Sequence, residues 1–193
     1  MQISWKKYFE VRKDKGEREL LKEALQYVTH RGTALDLGAG SMNDSMYLLS
    51  QDFKHVIAMD NDDDSIEFAN KIQSDHFEFV KETFQNFYFQ EDFYDLINAQ
   101  YALPFLSPVE FSNVFSKIIT ALKRGGVFCG QFFGNRDSWA QEGSIMNFHT
   151  MNNIEKLCCK FKIAKIEEEE KDDVTALGKS KHWHVFHVIA VKK

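Results

Sequence analysis

The stretch 33–60, TALDLGAGSMNDSMYLLSQDFKHVIAMD, limits the possible folds of this chain more than any other part of it. It reads as strand, glycine turn, helix, strand and acid. Ala34-Leu35-Asp36-Leu37 is a short, mostly apolar run that stops at Gly38-Ala39-Gly40, as expected of a strand buried on both faces of a parallel sheet. Gly38 and Gly40 let the backbone turn tightly and approach a ligand without a Cβ in the way. Residues 43–50 then form a helix whose N-terminal amides face the turn, and residues 55–59 form a second strand ending in Asp60. Asp60 lies 20 positions after Gly40, the spacing at which a carboxylate reaches the hydroxyls of a bound ribose.

Two nucleotide-like ligands suit that geometry. A dinucleotide places its pyrophosphate on the helix N-terminus and wants a third glycine at the position of Asn43. S-adenosylmethionine has no phosphate, lays its amino-acid end across the turn and tolerates looser glycine spacing. The segment resembles motif I and the following acidic motif of class I S-adenosylmethionine-dependent methyltransferases, a hydrophobic-Asp-hydrophobic-Gly-x-Gly-x-Gly run. Leu35-Asp36-Leu37-Gly38-Ala39-Gly40-Ser41 carries the match, and Met42 replaces the third glycine. The resemblance implies that Asp36, Gly38, Ala39 and Gly40 hold the amino-acid end of the cofactor and that Asp60 and Asn61 hold its ribose.

The 193 residues are the length of one domain, 1–193, without room for a separate catalytic domain. Apolar residues at 44% and charged residues at 27% are ordinary globular values, and the 18 Phe read as core packing. A net charge of −5 argues against broad binding to nucleic acid or an anionic membrane. Cys129, Cys158 and Cys159 are too few and too poorly spaced for a disulfide framework or zinc knuckle. No apolar run approaches the roughly 18 residues of a membrane span, and the first residues lack the apolar core of a signal peptide. A cytoplasmic protein, monomer or homodimer, without resident metal, is expected.

Taken in order, residues 3–11 form a short amphipathic helix carrying Trp5, Tyr8 and Phe9, and Lys13 to Gly16 break it. Leu20, Leu21, Ala24, Leu25 and Val28 form the stripe of a second helix that covers the sheet. Asp62 reads as an N-cap, with Asp63 and Asp64 complementing the helix dipole in preference to binding a metal. Residues 77–80 are a third strand, and 95–100 a fourth. Ser107-Pro108-Val109-Glu110 is a helix start, with cap, N1 proline and capping-box glutamate, and Phe111 to Leu122 supply the buried face. Leu122-Lys123-Arg124-Gly125-Gly126 stops that helix before a fifth strand over 127–132. This turn resembles the Leu-Lys-Pro-Gly-Gly turn of the same family, with Arg124 in place of proline, and residues 95–100 resemble its fourth-strand motif.

Residues 133–149 lose all periodicity and leave the end of a central strand, where open α/β sheets bind ligands, so they read as a substrate loop. A helix follows over 150–161, then strands over 163–168 and 181–191 around a polar turn. Such a closing hairpin, with its last strand reversed, is what the family resemblance implies. His182 and His184 read as satisfied edge histidines, not zinc ligands.

The fold expectation is therefore an α/β, Rossmann-like, mostly parallel sheet of seven strands in the order 3-2-1-4-5-7-6, the last strand antiparallel, with helices on both faces. The resemblance adds Thr83 and Phe84 beside the adenine and Asn98, Ala99 and Gln100 beneath the methyl donor. It makes residues 1–16 a lid, with Tyr8 on the cofactor. Trp5, Tyr101, Arg136 and Trp139 are assigned to a small-molecule substrate, and Tyr101, His149 and Asp137 are the candidates for catalysis. No residue stands out as a base, which suits an acceptor that is already anionic or a thiolate. S-adenosylhomocysteine is the expected product. A non-catalytic binding or partner subunit of the same fold is the alternative, and an NAD-type dinucleotide binder a lesser one.

Overall fold

The structure, a computed structural model, describes residues 5–193. The expectation for residues 1–4 lies outside the described residues. Seven strands form one sheet in the order β3-β2-β1-β4-β5-β7-β6. They are β1 (Thr33–Leu37), β2 (His55–Asp60), β3 (Phe77–Lys81), β4 (Tyr94–Ala99), β5 (Leu122–Phe133), β6 (Phe161–Val174) and β7 (Ser180–Lys192). The pairs from β3 through β5 are parallel, and β7 runs antiparallel to both β5 and β6. This is the order and polarity expected from the sequence.

β1 and β4 are buried at every position because helices cover both faces of the sheet. Alternation along each strand divides the core in two. Leu35, Leu37, Ile57, Met59, Ile97 and Phe128 face α5 (Pro108–Ala121) and α7 (Met151–Leu157). Ala34, Val56, Leu96, Val127 and Ile189 face α2 (Glu19–Ala24) and α3 (Asn43–Ser50). Each fully buried Leu, Ile or Phe in these layers contributes about 1.5–3 kcal/mol. The Ser107 capping box starts α5 as its sequence requires: Glu110 N donates to Ser107 Oγ, and Ser107 N donates to Glu110 Oε2 at 2.9 Å. Asp62 caps α4 (Asp63–Ala69) by a single bond, its Oδ1 accepting from Asp64 N at 2.9 Å.

Several boundaries depart from the sequence reading. Leu122 is not the last residue of α5. It takes an extended conformation and pairs with Tyr94 as the first residue of β5. The second helix stops at Ala24 and passes into a 3-10 turn, Leu25–Tyr27, and α7 ends at Leu157, leaving Phe161 to open β6.

The largest departure is the length of the terminal hairpin. β6 and β7 pair from Phe161↔Lys192 out to Val174↔Ser180, well past the end of β5, whose last partner is Val185. Residues 169–173 fall in the polar turn of the sequence reading, but here they continue β6, and Glu168, Glu170 and Asp172 are matched by histidines across the ladder. His182 bonds Asp172 at 2.8 Å and Glu170 at 3.1 Å, and His184 bonds Glu168 at 2.8 Å. Arg136 adds bonds to Glu168 and Glu170, both at 2.7 Å.

The 133–149 segment is likewise not a free loop. Asp137 caps a short helix, α6 (Ser138–Gln141), and Gly134 bridges His149. Asn147 Nδ2 donates to the carbonyls of Leu103 at 2.8 Å and Leu106 at 2.9 Å, which fastens the segment to the turn after β4.

Candidate cofactor and acceptor site

A cavity of about 790 Å³ runs along the C-terminal ends of the parallel strands, under the helix α1 (Trp5–Arg12) and against the β6–β7 arm. It spans the tips of β3, β2, β1, β4, β5, β7 and β6 in that order. At about 4.8 Å between strands, the two ends of the sheet lie about 29 Å apart. One end is therefore built on the glycine turn and Asp60, the other on the aromatic side chains of β5 and β7.

The glycine turn is stapled to β2, since the amides of Gly38 and Ala39 both donate to Met59 O, at 2.8 and 3.1 Å. Gly38 has φ 72°, and a Cβ there would stand 2.7 Å from that of Ala102. Gly40 has φ 50°, and its Cβ would strike the ring of Phe9 at 2.8 Å, so α1 seats directly on the turn. Met42 explains the missing third glycine. Its backbone is left-handed, φ 61°, which is the conformation a glycine would adopt freely. Its side chain is 1% exposed and packs with Ala58 and Ala69, away from the cavity. Met42 therefore does not narrow the cofactor turn.

Three buried carboxylates surround this turn. Asp36 Oδ2 accepts from Ser45 Oγ at 2.6 Å, and Asp36 Oδ1 accepts from Asn98 Nδ2 at 2.9 Å. The same Asn98 amide reaches Asp44 Oδ2 at 3.2 Å, and Asp44 Oδ1 accepts the Arg18 amide at 2.8 Å. Asp60 accepts the amides of Gly40 and Asp62, both at 2.9 Å. Burial pushes all three carboxyls up, and the adjacent Asp44 helps raise Asp36 to about 7. This set of donors and acceptors distinguishes the two ligands. A pyrophosphate on the N-terminus of α3 would meet Asp44 in the first turn and two more carboxyls beside it, whereas an α-ammonium or sulfonium is complementary to all three.

Most of the residues singled out in the sequence border this one cavity. Asp36, Gly38, Ala39, Gly40, Asp60, Asn61, Thr83 and Phe84 line the turn end, and Gln100, Tyr101, Trp139, Trp5 and Tyr8 continue from it. Asn98 and Ala99 do not. Both are fully buried within β4, and Asn98 touches the site through Asp36, Asp44 and Gln100, whose Nε2 donates to Asn98 Oδ1 at 2.7 Å. The three remaining candidates are also displaced. Arg136 turns to Glu168 and Glu170 on the outside of the arm. Asp137 is wholly buried in an ion pair with Lys181. His149 bonds Asn147 at 2.8 Å and packs on Phe111, and burial lowers its pKa to about 4. Tyr101 stays at the cavity, with φ 53° and its phenol pushed up to about 12 by burial.

The structure also adds residues that sequence reasoning passed over. Arg18 donates to Tyr8 Oη at 2.8 Å and lies over the Tyr101 ring at 4.9 Å, which joins α1 to the floor of the cavity. Asp44 is the second residue of α3, a helix that the sequence reading used only for its N-terminal amides. Phe105, Phe133 and Trp183 complete an aromatic chamber, and Glu169, Lys171 and Asp173 face it from the arm. Only the alternation of Trp183 with Val185 hinted at a shared face, since the partners come from distant segments.

Sheet order, the reversed seventh strand and a glycine turn ringed by carboxyls define the class of this chain: it has the fold of the class I S-adenosylmethionine-dependent methyltransferases, whose cofactor is S-adenosylmethionine. More particularly, residues 34–126 match the family model described as Methyltransferase domain. Among solved structures, an S-adenosylmethionine-dependent methyltransferase from Methanosarcina mazei aligns with a TM-score of 0.69 at 18% identity, covering 92% of this chain and 98% of that one. TehB from Haemophilus influenzae aligns with a TM-score of 0.74 at 16% identity, over 92% of this chain but 63% of its own. The N-methyltransferase NodS from Bradyrhizobium japonicum, solved with S-adenosylhomocysteine, gives a TM-score of 0.68 at 15% identity, over 94% and 90%. No curated protein matches the chain in sequence. Among the described residues no helix is long and apolar enough to cross a membrane.

Proposed function

We propose that this chain is a cytoplasmic, single-domain enzyme that transfers the methyl group of S-adenosylmethionine to a small-molecule acceptor. The observation that carries the reading is the single cavity bordered at one end by Gly38, Gly40 and Asp60 and at the other by Tyr101, Phe133 and Trp183. Bound in it, the cofactor would supply a sulfonium-activated methyl group. Asp36 and Asp44 would hold its ammonium, Asp60 and Asn61 its ribose, and Thr83 and Phe84 its adenine. Arg12 and Arg18 are the cations at the same end for a carboxylate. Tyr101 and Gln100 would support the reacting edge, and the acceptor would lie among Trp5, Phe105, Trp139 and Trp183.

Neither His149 nor Asp137 serves as a base in this reading, because neither reaches the cavity. Tyr101 keeps its proton and acts by contact. An acceptor nucleophile that needs no deprotonation by the protein, such as a thiolate, fits that set of groups. α1 and the tip of the β6–β7 arm, rather than the 133–149 segment, would form the closing parts of the chamber. Closure would exclude water and set Trp5 or Tyr8 against the sulfonium, an attraction of about 0.5–2 kcal/mol.

Calorimetric titration of the purified chain with S-adenosylhomocysteine and with NAD tests the reading. Binding of the first and not the second is expected, and the reverse would overturn it. Formation of S-adenosylhomocysteine from S-adenosylmethionine in the presence of each of a panel of thiols, metalloid oxyanions and hydroxylated acids then defines the acceptor. A chain that binds cofactor and methylates none of these supports the non-catalytic alternative.

A further inference from the structure

Among the described residues, one ion pair has both partners essentially inaccessible. The side chain of Lys181 is 1% exposed and that of Asp137 is 0% exposed. Neither faces the cavity, and neither belongs to the cofactor end. A buried ion pair is seldom a good source of stability, since desolvating both charges costs about as much as their attraction returns, and well-packed apolar residues can replace it. What such a pair can supply instead is fixed geometry.

The surroundings supply that role. Lys181 Nζ lies over three rings at once, at 4.2 Å from the centroid of Trp139, 4.3 Å from Trp183 and 5.4 Å from Phe133. These rings contact one another with centroids 5.6–6.1 Å apart, and each also borders the cavity. Asp137 ties the assembly to the backbone of both elements that carry the tryptophans. Its Oδ1 accepts the Trp139 amide at 3.0 Å, and its Oδ2 accepts the His184 amide at 3.3 Å, next to Trp183. Lys181 Nζ also reaches the carbonyl of His182 at 3.3 Å. Burial lowers the lysine pKa, and the adjacent carboxylate opposes that fall, so the pair depends on both members.

We propose that Lys181, anchored by Asp137, is the positioning residue of the acceptor chamber: its ammonium fixes the planes of Phe133, Trp139 and Trp183 from beneath, so that their opposite faces form a rigid inner wall for the acceptor. The assignment rests on the reading of this end of the cavity as the acceptor half. Aromatic side chains alone would pack into several tilted arrangements of similar energy. A cation held at one point prefers the arrangement that turns all three π-faces toward it.

The test uses the fact that the chain has three tryptophans, Trp5, Trp139 and Trp183, all bordering this cavity. Indole spectra therefore report on the chamber. In the paired variant Lys181→Met with Asp137→Asn, which removes both charges and keeps an oxygen to cap α6, thermal stability and affinity for S-adenosylhomocysteine should stay within about twofold of the parent affinity and a few degrees of its midpoint. The near-ultraviolet circular dichroism of the indoles should fall by about half or more, and acrylamide quenching should rise about twofold as the rings lose their common reference. Lys181→Arg, which keeps a cation in place, should recover most of the signal. If the paired variant fails to fold, Asp137→Asn alone should already weaken the indole bands.

Indole bands and quenching identical to the parent in the folded paired variant, or in Asp137→Asn, would overturn the proposal. So would an equal loss in Lys181→Arg, which would make bulk rather than charge the cause. Failure of the parent to bind S-adenosylhomocysteine would refute the proposed function and leave the spectroscopic result on ring geometry standing, so the two failures are separable.

Discussion

Replacing Met42 by glycine sets two structural terms against each other, and their sizes decide the outcome. The position has φ 61°, and a left-handed L-residue costs roughly 1–2 kcal/mol, which glycine would recover. Against this, the side chain is buried to 1% exposure among Ala58, Ala69, Ala39 and Phe68, and truncating a buried methionine costs about 2–5 kcal/mol. Glycine loses a further 0.5–1 kcal/mol, roughly, through its freer unfolded chain. The balance is a destabilisation of about 2–3 kcal/mol, or roughly 5–10 °C in a domain of this size. Because Met42 does not border the cavity, affinity for S-adenosylhomocysteine should change by less than about threefold, or 0.7 kcal/mol. Differential scanning calorimetry of the variant, with titration of ligand well below its midpoint, measures both quantities. An unchanged midpoint would refute the claim that packing outweighs backbone relief. A large affinity change at unchanged stability would mean that the side chain faces the cofactor after all.

The raised pKa of Asp36, to about 7 through burial and then through Asp44, gives a signed pH dependence. Its folded value exceeds the unfolded value of about 3.9, so its contribution to stability falls as pH rises from about 4 to about 7 and stays at its lowest above that. A bound ammonium favours the ionised form, so binding of S-adenosylhomocysteine near pH 6 should release a proton and tighten with rising pH, by at most about tenfold per unit below 7. Calorimetry in buffers of different ionisation enthalpy detects that proton, and identical apparent enthalpies would refute it. Asp60→Ala should weaken cofactor binding by about 1.5–3 kcal/mol, with Asp60→Asn losing less, because a charged acceptor is removed. Unchanged affinity in folded protein would take Asp60 out of the site. Hydrogen exchange with S-adenosylhomocysteine bound should slow in residues 5–12 and 170–183 and change little in 133–149, which is already fastened by Asn147. Slowing confined to 133–149 would restore that segment as the lid.

What the sequence determined by itself was the part whose physics is local. A buried strand, two glycines, a helix start and an acid at the right distance specify β1, the turn, α3 and β2 within one continuous stretch. The Ser107 capping box and the stripe from Phe111 to Ile118 specify α5. From these, the parallel sheet and the glycine-turn end of its cavity could be laid out, including Asp36, Gly38, Gly40 and Asp60. Met42 was legible as an exception but not as a solution, since only its left-handed backbone and its pocket beneath Ala58 and Ala69 reveal why a methionine can stand there. The aromatic end of the cavity was decided by tertiary structure. Residues 169–173 read as a charged turn until cross-strand histidines and Arg136 extend the ladder, and Arg136, Asp137 and His149 looked available until their partners claimed them. Lys181 carried no signal at all, because its neighbours Asp137, Phe133 and Trp139 lie some 40 to 50 positions away. Backbone turns and helix caps are fixed by interactions within a few residues, whereas burial and charge pairing depend on which distant segments the sheet brings together.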